Sequence, residues 1–295
     1  MKSNADISIA YQIHGNKENP VILIIQGLGM PLTATPPEII DELVARGYCL
    51  LLVDNRDIGH SHIIDEKIPN LLVQVIKYIL GFKVKSFYKL DDMMNDINNL
   101  LDEINVSNCH IIGVSMGGMI SQLMAIKNPD KVNSLTSIMS TTGNPKLPRP
   151  KWNVIKYILN GSNNRNTDNP ESFYIKLWKL IGSPKYPRSN DEIKEFVNRI
   201  ISRGISTKGS IRQILAILNS YNRSTELNKI NIPTLIIHGN DDPLVPVECG
   251  IDTANAINKS DLWIIEGMGH DFPYELLDQF VDRIDNHIKN VESRS

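Results

Sequence analysis

The pentapeptide Gly113-Val114-Ser115-Met116-Gly117 sets a hydroxyl where it could act as a nucleophile. It lies between an apolar run, Cys109 to Val114, and a helix-like stretch, Gly118 to Asn128. A serine in a sharp strand-to-helix turn has its Oγ thrust out above the sheet, and flanking glycines allow close backbone approach. The helix behind it offers free N–H groups and a positive dipole end, which suit a developing oxyanion. The bland alternative is a plain turn that happens to hold a small residue.

A nucleophilic serine needs a base to take its proton and a carboxylate to hold that base. The histidines are His14, His60, His62, His110, His238, His270 and His287. His110 precedes the serine on its own strand, His238 lies at a strand end and His287 falls in a late helix. His60 and His62 stand ahead of the serine, after the Tyr48 to Asp54 run, and remain candidates for a pocket. His270, in Glu266-Gly267-Met268-Gly269-His270-Asp271, follows the last strand on a glycine-rich loop that can bend the ring back toward Ser115. Its alternative is a loop histidine with no task. The carboxylate belongs to the stretch His238 to Pro246, where Asp241 and Asp242 are adjacent and spacing alone does not separate them. An aspartate there would accept the Nδ1 proton, fix the tautomer and stabilise the imidazolium.

Alternating elements must position these groups. Val21 to Gln26, Tyr48 to Asp54, His110 to Val114, Ser134 to Met139, Thr234 to His238 and Leu262 to Glu266 read as strands. Helical spacing falls at Pro37 to Arg46, Leu90 to Ile104, Gly118 to Asn128, Val247 to Asn258 and Glu275 to Asn290. Strand followed by helix, repeated, predicts an α/β fold with a mostly parallel sheet covered on both faces, and continuously apolar strands agree. Chemistry in such sheets sits past the carboxyl ends of the strands, which is where Ser115 falls.

The alternation breaks between about Asn144 and Arg223. That stretch opens on Pro145, Pro148 and Pro150 and carries helical segments at Trp152 to Leu159, Glu171 to Ile181, Asp191 to Ser202 and Ile211 to Tyr221. It reads as a helical cap, residues 144–223, inserted in a core of residues 1–143 and 224–295, enclosing substrate and excluding water. Residues 145–223 hold fifteen Lys and Arg against five Asp and Glu, a net of +10, which leaves −12 for the rest of a chain whose formal charge is −2. That asymmetry draws anionic substrates or an acidic surface toward the cap, or else marks a solvated cap on an acidic body. Asn70 to Phe87 is a further helical segment ending near Gly81. It is too short for a membrane span, and reads either as a lid helix lining an apolar pocket or as an ordinary packed helix.

A chain of 295 residues with 41% hydrophobic content and near-neutral charge fits a globular protein and gives no sign of nucleic-acid binding. Cys49, Cys109 and Cys249 lie far apart, so buried free thiols are expected rather than a zinc site or a disulfide framework. Met1 to Gly15 alternates as a strand does and lacks the apolar core of a signal peptide, which implies a cytoplasmic protein with no stable membrane insertion.

Nearly the whole chain resembles the α/β-hydrolase superfamily, and within it the branch of aclacinomycin methylesterase and related esterases. The resemblance rests on Gln26-Gly27-Leu28-Gly29-Met30, the run from Asp54 to Ser61, Gly113 to Met119, Ser137 to Gly143 and Gly267 to Asp271. It implies the order Ser115, Asp242, His270, because the acid of the family pattern G-x-x-D-x-x-V-P aligns with Asp242. It further implies an oxyanion hole made by the backbone N–H groups of Leu28 and Met116. Gln26 departs from the His-Gly of many members, which alters local hydrogen bonding and leaves the donor intact. The implied activity is hydrolysis of a small-molecule carboxylic ester, a methyl ester among the candidates, with an apolar acyl or anionic group. It needs neither metal nor cofactor and proceeds through an acyl-enzyme. Other readings of the same triad are a carbon–carbon bond hydrolase, a thioesterase, a cofactor-free perhydrolase or a ligand receptor.

Overall fold

The computed structural model describes residues 7–163 and 169–293. Residues 1–6 of the expected amino-terminal strand lie outside that range, as do residues 164–168 of the insertion. One seven-stranded sheet organises the chain: β1 (Tyr11–His14), β2 (Val21–Ile25), β3 (Cys49–Val53), β4 (Cys109–Val114), β5 (Val132–Ile138), β6 (Thr234–Gly239) and β7 (Ser260–Ile265). Their order is β1-β3-β2-β4-β5-β6-β7, with β1 antiparallel to β3 and every other pair parallel.

The apolar strands feed two cores. Ile22, Ile24, Leu50, Leu52, Ile112 and Val114 enter one, closed by α1 (Pro37–Ala45) and α11 (Leu277–Glu292) through Leu43, Phe280 and Ile284. Leu23, Ile25, Leu51, Val53 and Ile111 enter the other. This second core is closed by α3 (Leu90–Glu103) and α4 (Met116–Lys127) through Ile97, Leu101, Ile120 and Leu123. Successive strand residues point to opposite faces, so a run of five apolar residues is what a sheet covered on both sides requires. Cys49, Cys109 and Cys249 are free and buried, and burial pushes the Cys109 thiol up to about 12.

Chain order reverses at β2 and β4, which lie side by side with Ile25 opposite Gly113. On one side β2 leads to β3, and on the other β4 leads to β5, β6 and β7. The two strand ends at this switch open a crevice at the carboxyl edge, the place where an open α/β sheet binds its ligand. The residues just past them are Gln26-Gly27-Leu28 and Ser115.

Among the described residues, the insertion between β5 and β6 carries the helices α5 (Trp152–Asn163), α6 (Pro170–Ile181), α7 (Asn190–Arg203) and α8 (Thr207–Leu218). The structure starts α8 four residues before the expected Ile211, because the Ser206 side chain accepts from Gly209 N–H and caps a polar first turn that carries no apolar spacing. It likewise starts α4 at Met116, directly behind Ser115, where the spacing read a start at Gly118. A short helix, α9 (Ser224–Leu227), follows, and α10 (Val247–Ala256) connects β6 to β7.

Buried polar contacts hold the insertion to the sheet. Arg212 of α8 and Asp57, both fully buried, pair through two bonds of 2.8 and 2.7 Å. Asp57 also accepts from Tyr88 Oη–H and Ile64 N–H. Arg203 reaches Asp54 at 2.9 Å, and Gln213 accepts from Gly29 N–H and donates to Arg56 C=O, each at 2.8 Å.

The segment after β3 contains α2 (Leu71–Ile79), which packs against α5 and α8. Leu71 and Val75 face Ile155, Leu159 and Ile211 there. None of residues 70–87 lines either of the two cavities described below, whose walls come from the insertion and from the loops that follow the strands.

Removing one partner of the Arg212–Asp57 pair leaves the other charge buried without an answer. Arg212→Met is expected to destabilise the protein by about 3–5 kcal/mol, and Arg212→Met combined with Asp57→Asn by clearly less. Urea unfolding of the three proteins measures both.

Candidate active site

The Ser115 backbone adopts φ 54° and ψ −115°, a conformation that L-residues rarely hold. Surrounding contacts enforce it. Ser115 N–H donates to Ile138 C=O at 2.9 Å, and its own carbonyl accepts from Gly118 N–H at 3.0 Å and from Ser140 Oγ–H at 2.7 Å. The motif glycines have no room for a side chain. A Cβ at Gly117 would lie 2.0 Å from Ile25 O, and one at Gly113 would lie 2.3 Å from Ser121 Oγ. Gly117 therefore lets α4 start against the end of β2, and Gly113 lets β4 run close beneath the first turns of that helix.

Past β6, Asp242 is buried while Asp241 is exposed. Asp242 Oδ1 accepts the N–H groups of Leu244 and Val245, each at 2.8 Å, which orients the carboxylate. Its Oδ2 accepts from His270 Nδ1 at 2.6 Å. A carboxylate only accepts, so Nδ1 carries the proton and Nε2 is left to accept from Ser115 Oγ–H, at 3.1 Å. Ser115, His270 and Asp242 thus come together from the ends of β4, β7 and β6.

The remaining histidines lie elsewhere. His110 bonds Ser134 Oγ and Glu292, both at 2.8 Å, and His60 and His62 are exposed. His238 is buried behind Asp242 with its Nε2 donating to Val245 C=O at 2.8 Å, and burial lowers its pKa, which keeps it neutral.

Leu28 follows the end of β2, beside Ser115: a Cβ built on Gly27 would sit 3.2 Å from Ser115 Cβ. Met116 opens α4. Among the described residues neither the Leu28 N–H nor the Met116 N–H has a protein acceptor. Gln26, where many superfamily members carry His, donates through Nε2 to Thr35 Oγ1 at 2.6 Å, and its carbonyl accepts from Asn55.

The His270 loop is held by the α6–α7 connection, which carries no motif. His270 N–H donates to Ile181 C=O at 2.7 Å, Gly269 N–H to Ser183 Oγ at 2.9 Å and Lys185 N–H to Gly267 C=O at 3.2 Å. Ser183 Oγ–H in turn donates to Asp271, and Arg188 donates to Phe272 C=O while stacking 4.1 Å from the Tyr274 ring centroid. Burial raises the Asp271 pKa, opposed by Ser183 and Arg188.

Ser115 and His270 open onto a cavity of about 100 Å³, mostly apolar, whose walls include Met30, Leu177, Phe196, Arg188 and Arg199. A larger cavity of about 400 Å³ does not reach Ser115; it adjoins the first through Trp178, Arg188, Phe196 and Asp271 and adds Lys151 and Lys179. Trp178 Nε1, Arg188 Nε and one Arg199 Nη are buried without a hydrogen-bond partner. Among the described residues, no group of three or more His, Cys, Asp or Glu side chains could hold a metal ion, and no helix is long and apolar enough to cross a membrane.

Comparison with known proteins bears on this arrangement. A family model described as alpha/beta hydrolase fold matches residues 20–275. Rhodomycin D methylesterase of Streptomyces peucetius is 23% identical over 291 residues, 92% of each chain. A 2-hydroxy-6-oxononadienedioate/2-hydroxy-6-oxononatrienedioate hydrolase of Cupriavidus pinatubonensis is 26% identical over 88% of this chain and 84% of its own. Among solved structures, an esterase of Rhodococcus sp. superimposes with a TM-score of 0.76 at 18% identity, covering 97% of this chain and 96% of that one.

Ser183→Ala would strip the acceptor from Gly269 N–H and the donor from Asp271. The expected cost is about 1–3 kcal/mol, with faster amide hydrogen exchange confined to residues 267–272; exchange measured by mass spectrometry against the wild type tests it.

Proposed function

Because this chain belongs to the α/β-hydrolase fold family, we propose that it is a serine hydrolase that cleaves a carboxylic ester through an acyl-enzyme. The observation that carries the reading is the continuous line of hydrogen bonds from Ser115 Oγ through His270 to Asp242, at 3.1 and 2.6 Å. Ser115 attacks the ester carbonyl as His270 Nε2 takes its proton, and Asp242 steadies the resulting imidazolium. The N–H groups of Met116 and Leu28 receive the oxyanion, with the α4 dipole behind them. His270 then protonates the departing alkoxide, and water activated by the same ring hydrolyses the acyl group. The helices of residues 144–223 serve as a cap over the strand ends, restricting water and shaping the pocket.

The substrate is a small ester with an apolar portion for the wall of Met30, Leu177 and Phe196, and an anionic group for Arg199. A buried Arg199 Nη without a hydrogen-bond partner beside an apolar chamber supports the anionic part, because a buried donor left unmade is costly, whereas Arg188 Nε lies 3.7 Å from Asp271 Oδ2 and its charge is answered there. A methyl ester fits the likeness to rhodomycin D methylesterase. Carbon–carbon bond cleavage on the same triad is the second reading, favoured by the likeness to the Cupriavidus hydrolase.

Hydrolysis of p-nitrophenyl butyrate by wild type and Ser115→Ala, both folded by circular dichroism, tests the reading: kcat is expected to fall about 10³-fold or more. Asp242→Asn is expected to lose about 10⁴-fold in kcat, while Asp241→Asn stays near wild type. A folded wild type inert toward esters but active on a vinylogous diketone would replace ester hydrolysis with carbon–carbon cleavage. For the anionic group, Arg199→Gln is expected to raise KM about tenfold for a p-nitrophenyl hemiester of a dicarboxylic acid, leaving the neutral butyrate unchanged; parallel KM values decide it.

A further inference from the structure

Helix α2 turns an apolar face away from the protein. Leu72, Val73, Ile76, Ile79 and Leu80 fall on one stripe of the helix and its C-terminal cap, and all are exposed. Phe82 extends the stripe and, like Leu80, is 64% exposed. The side chains that α2 buries are Leu71 and Gln74, the latter accepting from Lys85 N–H at 2.9 Å. Packing thus uses the narrow side of the helix and leaves the broad apolar side in water. A contiguous patch of six large apolar residues marks an interaction surface rather than scattered exposure.

Charge says what the surface meets. Residues 67–89 contain Lys67, Lys77, Lys83, Lys85 and Lys89 and no Asp or Glu. Lys77, Lys83 and Lys85 are exposed, and no ion pair among the described residues involves them. Neighbouring α5 adds Trp152, 68% exposed, three and seven residues before Ile155 and Leu159 on the helix face that packs toward α2. Lys156 on the same helix is exposed as well.

We infer that this face docks reversibly on a bilayer surface that contains anionic lipid, with α2 lying in the plane of the interface. An apolar stripe enters the boundary between headgroups and acyl chains, lysines at its rim meet the lipid phosphates, and a tryptophan sits at headgroup level. Nine residues of helix are far too few to span. Self-association fits less well: an isologous contact would gather Lys77, Lys83 and Lys85 of both copies around one apolar patch, and no carboxylate lies within the segment itself, the exposed Asp65 and Glu66 standing ahead of the helix. The inference is independent of the ester-hydrolase reading, since the face shares no residue with the Ser115 cavity.

Flotation of the full chain with vesicles tests it. With equal parts phosphatidylcholine and phosphatidylglycerol at low salt, the protein is expected to float; with phosphatidylcholine alone, or at high salt, it stays behind. Ile76→Asp with Leu80→Asp, folded by circular dichroism, is expected to abolish flotation. Lys77→Gln, Lys83→Gln and Lys85→Gln together are expected to weaken binding by about two orders of magnitude. Failure of the wild type to float on the mixed vesicles overturns the inference, as does binding that both variants leave intact. A dimer in light scattering that Ile76→Asp makes monomeric, with no vesicle binding, overturns it in favour of self-association.

Discussion

Asp57 and Arg212 meet where no water reaches either side chain, and much of the site hangs on that pair. Burying two charges is costly unless the geometry is good and the remaining lone pairs are used. Here the guanidinium is bidentate, and the carboxylate also takes the Tyr88 hydroxyl and the Ile64 N–H. Any other seating of α8 would strand one of the charges, so the pair specifies position. Gln213, next along the helix, is thereby fixed between Gly29 N–H and Arg56 C=O, and the turn carrying Leu28 is held from above.

The insertion therefore takes part in the site at two places. On the β2 side α8 steadies the Leu28 turn; on the β7 side the α6–α7 connection steadies the His270 loop through Ile181, Ser183 and Lys185. Between them the sheet supplies what needs no help from outside: a switch point that opens a crevice, and an elbow whose Gly117 lets α4 begin against β2. Ser115 is held from the neighbouring strands, through Ile138, Ser140 and the close approach of Gly117 to Ile25, and Asp242 by its own loop through Leu244 and Val245, whereas the His270 loop depends on the insertion.

That division explains what could be read in advance. Continuously apolar strands, the elbow and the glycine-rich loop before His270 are local patterns, and the fold class follows from their alternation. The choice between Asp241 and Asp242 is invisible to spacing because it turns on burial: one side chain faces water, and the other is tied to Leu244 and Val245 N–H. Gln213 meets Gly29 across 184 positions, and Ser183 meets Gly269 across 86, with no motif at either end. Helical spacing found α2 but not its orientation, since one apolar stripe serves equally for packing inward or for showing outward.

The seam between residues 181–188 and 267–272 gives loss of activity a route of its own on heating. Its few hydrogen bonds lie at the edge of the sheet, beside β7, where local opening costs less than unfolding of either core. Fraying there would let the His270 ring drift from Ser115 while every strand remained paired. The working lifetime of the protein at elevated temperature is then a property of this seam, and a transition midpoint recorded from the sheet would overstate it.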